Sequence, residues 1–164
     1  EEMIDGYLAF AAGEGDEAPQ ELAVNELLNR LVTQAQKSHK FDITLSPVKD
    51  EIPAFPMRRN AIQRAFSNII SNAIRYSTKT IVAIRMRNDE VIITFDDNGA
   101  GIPQERRADA IRPFIRLEES RNRRTGGAGL GLSITSDVIL SHGGELTLGE
   151  SPLGGLRVAI KLPV

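Results

Sequence analysis

The sequence contains no cysteine, which excludes both a disulfide framework and a thiolate metal site. No apolar run approaches the roughly 18 residues that a membrane-spanning helix needs, and no basic, apolar and small-residue succession marks a signal peptide. Charge of one sign is also lacking. Lys and Arg number 20 against 22 Asp and Glu, a formal net charge of -2, so nothing draws the chain generally to nucleic acid. Histidine is limited to His39 and His142. A Walker loop with its lysine and the protein-kinase signature set are both missing. What remains is a soluble globular chain of one domain, expected in the cytoplasm and, at 164 residues, long enough to bury a core without covalent staples.

The charge that is present is unevenly placed. The first 19 residues carry six acids and no base, whereas residues 104–125 hold seven arginines against four acids. A basic cluster is commonly a solvated face; lying between two glycine motifs, this one also suits an anion. Met3, Ile4, Tyr7, Leu8 and Phe10 fit the tail of an amphipathic helix that starts without a cap, as a piece cut from a longer helix would, and residues 11–19 read as a linker.

Leu22, Val24, Leu27, Leu28, Leu31 and Val32 predict a helix over residues 21–37, with Asn25 or a neighbour near its start. Strands are predicted over residues 41–45 and 52–57, separated by a turn at Pro47. The β-branched stretches 80–87 and 91–96 flank Asn88-Asp89-Glu90 and read as a hairpin. A helix over residues 130–141 stops at His142-Gly143-Gly144, and residues 145–148 and 156–162 close the chain as a second hairpin. Together these elements predict an α/β two-layer sandwich, with a mixed, mainly antiparallel sheet on one side and three long helices on the other.

The central helix, over residues 60–76, has two faces. At about 100° per residue, Ile62, Phe66, Ile69, Ile70, Ala73 and Ile74 fill one arc, while Asn68, Asn72, Arg75 and Tyr76 fall together on another. The two asparagines alone would also fit a solvated surface. After the first hairpin comes Asp97-Asn98-Gly99-Ala100-Gly101-Ile102-Pro103. Its glycines permit close backbone approach, and an Asp at a strand end can accept a hydrogen bond from a base amine, although DNG is also a common turn. Gly126-Gly127-Ala128-Gly129-Leu130-Gly131-Leu132 opens a helix whose free N–H groups favour phosphate.

Taken in order and at these separations, NIISNAIRYS, DNGAGIP, PFIR and GGAGLGLSI resemble the ATP-binding catalytic domain of bacterial sensor histidine kinases, EnvZ-like among them. That domain lies within the superfamily that includes gyrase, the Hsp90 chaperone and MutL. The resemblance covers residues 20–164 and implies the Bergerat-type ATP-binding fold, with residues 1–19 as the end of a dimerisation-hairpin helix and its linker.

The resemblance implies roles one residue at a time. Asn72, with Asn68, would coordinate Mg2+ bridging the phosphates of ATP. Arg75 would contact phosphate and Tyr76 would lie along the base. Asp97 would take the adenine amine, with Gly99, Gly101 and Ile102 lining that pocket. Gly127, Gly129 and Gly131 would hinge a mobile lid and cradle phosphate, with Leu130 and Leu132 packing beneath. Phe114 would anchor the lid, and Arg116 and Arg121 would reach the γ-phosphate.

Hydrolysing members of the superfamily carry a Glu four residues before the Mg-binding Asn, where it activates water. This chain has Asn68 there, so slow intrinsic hydrolysis and phosphoryl transfer to a protein side chain are expected. Neither His39 nor His142 stands in a phosphoacceptor motif. The accepting His is expected on a hairpin upstream of Glu1, with a response-regulator receiver domain downstream. The piece alone is expected to be a monomer, its parent a homodimer whose anchoring in the inner membrane stays open. An anti-sigma-factor-type serine kinase and a nucleotide-binding pseudokinase module are the rival readings.

Overall fold

The computed structural model describes residues 17–112 and 131–164. Five strands form the main sheet: β2 (Asp42–Leu45), β4 (Lys79–Arg87), β5 (Glu90–Asp97), β6 (Glu145–Glu150) and β7 (Leu156–Pro163). Their order is β2-β4-β5-β7-β6. β2 and β4 run parallel and every other neighbour is antiparallel, giving the mixed, mainly antiparallel sheet expected. Alternation puts Val82 and Ile84, Val91, Ile93 and Phe95, and Val158, Ile160 and Leu162 on one buried face. The β4–β5 turn is Asn88-Asp89, both at positive φ, the geometry that matches the twist of paired strands.

The three long helices are α1 (Val24–His39), α2 (Arg59–Tyr76) and α4 (Gly131–Ser141), with a short α3 (Arg107–Ala110) after a 3-10 turn at Gln104–Arg106. α2 buries Ala61, Ile62, Ala65, Phe66, Ile69, Ile70 and Ala73, the stripe its periodicity predicts. Phe66 meets Phe95 of the sheet with ring centroids 6.0 Å apart, tying the two layers together. α4 runs antiparallel to α2: Gly131 lies beside Asn72, Thr135 Oγ1 is 3.3 Å from the Ala65 carbonyl, and His142 meets Arg58. It ends on Gly143 at φ 75, with Gly144 N bonded to the Ile139 carbonyl and Gly143 N to that of Leu140, the expected glycine stop. Among the described residues no helix is long and apolar enough to cross a membrane.

Several boundaries differ from expectation. The first helix begins at Val24, because Gln20–Leu22 form β1, paired antiparallel with β3 (Phe55–Met57) in a separate two-stranded sheet. Asn25 is the second residue of the helix, near its start as expected. The cap position is Ala23, without a side-chain bond, and Asn25 Oδ1 is buried with no partner among the described residues. The strand expected over residues 52–57 shortens to β3, the three residues that pair with β1. The connection after β5 is not wholly irregular, since it holds the 3-10 turn and α3. The expected helical segment over residues 1–10 and most of the linker lie outside the described residues.

Candidate functional site

Asn68 and Asn72 lie on α2 opposite its apolar stripe. Both are half-buried, and no hydrogen bond engages either side-chain amide among the described residues. A Cβ placed on Gly131 would stand 3.6 Å from Asn72 Nδ2 and 3.7 Å from Oδ1, so the end of the second glycine motif sits against this amide. Leu132, next along, is half-buried and packs against the core. At the end of α2, Arg75 and Tyr76 are exposed. The Arg75 guanidinium carbon is 6.0 Å from the Tyr76 ring centroid, a contact worth roughly 0.5–1 kcal/mol at an exposed site. Tyr76 therefore offers an open ring face beside a cation.

Two aspartates end β5, and strand alternation separates them. Asp96 points to the outer face, where Arg157 grips it in a bidentate pair at 2.6 and 2.8 Å. The same bond raises the Arg157 guanidinium pKa from its ordinary value. Asp97 shares the parity of Ile93 and Phe95 and so sits on the side of the helices. Its Oδ1 accepts from Gly99 N and Leu156 N, both at 2.9 Å, and its carbonyl accepts from Gly155 N at 3.1 Å. Oδ2 has no hydrogen-bond partner among the described residues, so one oxygen is fixed and the other is available.

Three chain segments close on one another around this carboxylate, and only glycine permits it. A Cβ on Gly99 would lie 2.4 Å from the Tyr76 carbonyl oxygen, and one on Gly155 would lie 2.2 Å from Asp97 Oδ1 and 2.5 Å from Gly99 N. Gly101 is at φ +69, and a Cβ there would lie 3.3 Å from the Gly155 carbonyl carbon and oxygen. Asn98 points elsewhere: its Oδ1 accepts from Thr78 N and Lys79 N, and its Nδ2 donates to Thr78 Oγ1. It pins the loop to the α2–β4 connection. Ile102 is half-buried, and its carbonyl accepts from Arg107 Nε at 3.0 Å, which commits one arginine of the basic stretch to the loop itself. Arg112 pairs with Asp109 at 3.5 Å.

The structure thus sets Asn72 against Gly131 and Arg75 against Tyr76, and gathers Asp97, Gly99, Gly101 and the Tyr76 carbonyl around Gly155, while Asn68, Ile102 and Leu132 lie along the same elements without a shown contact to them. Phe114, Arg116, Arg121, Gly127, Gly129 and Leu130 lie outside the described residues. Sequence reasoning missed Gly155 and Leu156, which hold Asp97 from behind. Gly154-Gly155 falls in the connection between the two strands of the second hairpin, where nothing local marks Gly155 as buried.

A family profile described as Histidine kinase-, DNA gyrase B-, and HSP90-like ATPase matches residues 57–164. The chain belongs to this family. The chain is 46% identical over 106 residues to the sensor histidine kinase CpxA of Escherichia coli K12, covering 64% of this chain and 23% of that protein. It is 37% identical over 142 residues to CpxA of Klebsiella pneumoniae, covering 85% of this chain and 31% of that one. The chain therefore spans less than a third of these relatives. The crystal structure of the ATP-binding domain of PrrB from Mycobacterium tuberculosis matches with a TM-score of 0.72 and 26% identity, over 89% of this chain and 97% of the other. The expected fold and family are borne out, and with them an ATP-binding catalytic domain of the histidine-kinase type that takes ATP with Mg2+.

The donors present suit that cation. Among the described residues no cluster of three or more His, Cys, Asp or Glu could hold a metal. An ion on α2 would be carried by neutral amide oxygens, which are hard ligands suited to Mg2+, with phosphates and water completing its shell.

Proposed function

We propose that the polar face of α2 and the glycine loops hold Mg-ATP so that its γ-phosphate is offered to a histidine of a separate helical hairpin. The single observation that carries this reading is the pairing of an Asn72 amide seated beside Gly131 with an Asp97 carboxylate that has one oxygen fixed, the amide and the second oxygen having no hydrogen-bond partner among the described residues.

In this reading Asp97 Oδ2 accepts from the adenine exocyclic amine, while Gly99, Gly101 and Ile102 shape the pocket and Tyr76 lies along the base. Asn72 and Asn68 hold the cation and Arg75 contacts phosphate. Bound Mg2+ supplies charge neutralisation at the phosphates, and the rest of catalysis is orientation. Gly127, Gly129 and Gly131 cradle phosphate with Leu130 and Leu132 beneath them, Phe114 anchors the lid, and Arg116 and Arg121 face the γ-phosphate. With Asn68 one turn before Asn72, no carboxylate stands there to activate water, which favours transfer over hydrolysis.

Residues 1–19 are the end of the dimerisation hairpin and its linker, and residues 20–164 the catalytic domain. The domain works in the cytoplasm, is monomeric alone, and dimerises in its parent through the hairpin. The phosphoryl group then passes to an aspartate of a response-regulator receiver domain.

The test is an ATP titration of this chain, followed by mixing with the separately made hairpin and labelled ATP. Acid-labile label on the hairpin is the expected result. Absence of nucleotide binding refutes the site, and binding without transfer refutes the kinase step.

A further inference from the structure

His142 is taken up by neither the nucleotide site nor a phosphoacceptor motif, yet both of its ring nitrogens are engaged. Its Nδ1 lies 2.7 Å from the Val138 carbonyl, and its Nε2 lies 3.1 Å from Arg58 N. A carbonyl only accepts and a backbone N–H only donates, so the ring is the neutral tautomer with its proton on Nδ1.

Arg58 is the cap position of α2, and His142 directly follows α4. The imidazole therefore bolts the start of one helix to the end of the other. The Arg58 guanidinium reinforces the joint through Ser141 Oγ. The Glu17 carboxylate completes it, accepting from Asn60 N at 2.7 Å and Ala61 N at 3.2 Å. Because α2 and α4 are antiparallel, the far end of the same pair is the place where Asn72 meets Gly131. Sliding or splaying the bolted end changes that meeting, since two packed helices move as rigid bodies.

We propose that His142 is a positioning residue of the nucleotide site: by clamping α2 to α4 it sets Asn72 against Gly131, and it does so only while neutral. A proton on Nε2 ends its acceptance from Arg58 N and places a cation at the positive end of α2, beside the Arg58 guanidinium. Glu17 is the opposing charge acting on the ring. Burial, the larger effect, and Arg58 together lower the His142 pKa from its ordinary value. The proposal rests on Asn72 serving the phosphate end of ATP. It assigns His142 an influence on that end and none on the base end at Asp97.

The experiment measures affinity for Mg-ATP and for adenosine at about pH 8, and again through a series that descends well below the ordinary histidine value to about pH 5, because the folded ring titrates beneath that value. It compares the chain with His142→Ala, which has no acceptor, and His142→Gln, which keeps one that cannot titrate. At the higher pH, His142→Ala is expected to bind Mg-ATP about fivefold more weakly with adenosine unchanged, the order of a typical coupling between sites. At the low end of the series the parent chain is expected to lose more Mg-ATP affinity than His142→Gln.

Equal Mg-ATP affinity of folded His142→Ala and the parent overturns the proposal, as does a parallel loss of adenosine. If His142→Ala does not fold, the comparison between the parent and His142→Gln decides: identical acid profiles overturn it. Failure of the parent chain to bind Mg-ATP at the higher pH instead refutes the nucleotide site itself.

Discussion

Gly155→Ala tests the cradle of Asp97 directly. The added Cβ would stand 2.2 Å from Asp97 Oδ1, 2.5 Å from Gly99 N and 2.6 Å from the Asp97 carbonyl oxygen, whereas ordinary contact begins at 3.4 Å. Two of these obstacles are backbone atoms, and the third is a carboxylate oxygen held by two amides, so no flexible side-chain tip can swing aside. The carboxylate must retreat by about 1 Å, which breaks the bonds from Gly99 N and Leu156 N, each worth about 1.5–3 kcal/mol when the acceptor is charged. Water recovers part of this because Asp97 is half-exposed, leaving an expected destabilisation of about 2–3 kcal/mol. The adenine-facing oxygen moves with the carboxylate, so ATP and adenosine affinity should both fall at least about tenfold, equivalent to about 1.4 kcal/mol. Urea unfolding and calorimetric titration read the two effects. Gly149→Ala is the control, since its Cβ meets nothing within 4 Å. If Gly155→Ala matches the parent chain in unfolding midpoint and binds ATP within about twofold of it, the cradle argument is wrong.

Asn72→Ala should abolish the Mg-dependent part of ATP affinity while far-UV dichroism and the urea midpoint hold; an unchanged titration removes Asn72 from the cation. Asp97→Asn keeps an acceptor for the two amides but turns a donor toward the base amine, so ATP binding should weaken more than GTP binding, and equal losses would exclude adenine selection at this residue. Glu17→Gln should lower stability by about 1 kcal/mol, the worth of a helix cap, because a carboxylate leaves the first turn of α2; an unmoved urea midpoint refutes the cap. Neutral in the fold with a lowered pKa, His142 contributes stability that is complete above its ordinary value of 6.5 and lost as pH falls through that value toward the folded one. His142→Gln should therefore flatten the stability profile on the acid side, and identical profiles would show that the ring does not titrate with folding.

What was legible from sequence was whatever repeats along the chain. α2 spans five turns, and each turn restates the same division between an apolar stripe and the asparagine face, so its ends were placed to within a residue. The β4–β5 hairpin carries eight cross-strand pairs and a two-residue turn, and the glycine stop of α4 is a local motif. β1 offers three residues, too few to show a period of two, and its Leu22 extends the helical pattern that follows. Only pairing with β3, more than thirty positions away, makes it a strand. Tertiary context overrode a local pattern that was itself correct.

The same reasoning explains which part of the site was hidden. Asp97, Gly99 and Gly101 belong to one short motif, whereas the second amide on Asp97 Oδ1 comes from Leu156 at the start of β7, 59 residues later. No local pattern distinguishes Gly154, whose positive φ serves its own turn, from Gly155, which has no room for a side chain. Nor does the pair Asp96-Asp97 declare which member serves the ligand. Strand parity decides it: alternation sends Asp96 to the outer face and to Arg157, and leaves Asp97 on the helix side with Tyr76 and Gly99. A one-residue slip of β5 would exchange the two carboxylates and bury the wrong one against Arg157. The Asp96–Arg157 bridge pairs β5 with β7 at the one register that also delivers Leu156 N to Asp97, so an ion pair on the far face of the sheet helps specify the nucleotide side.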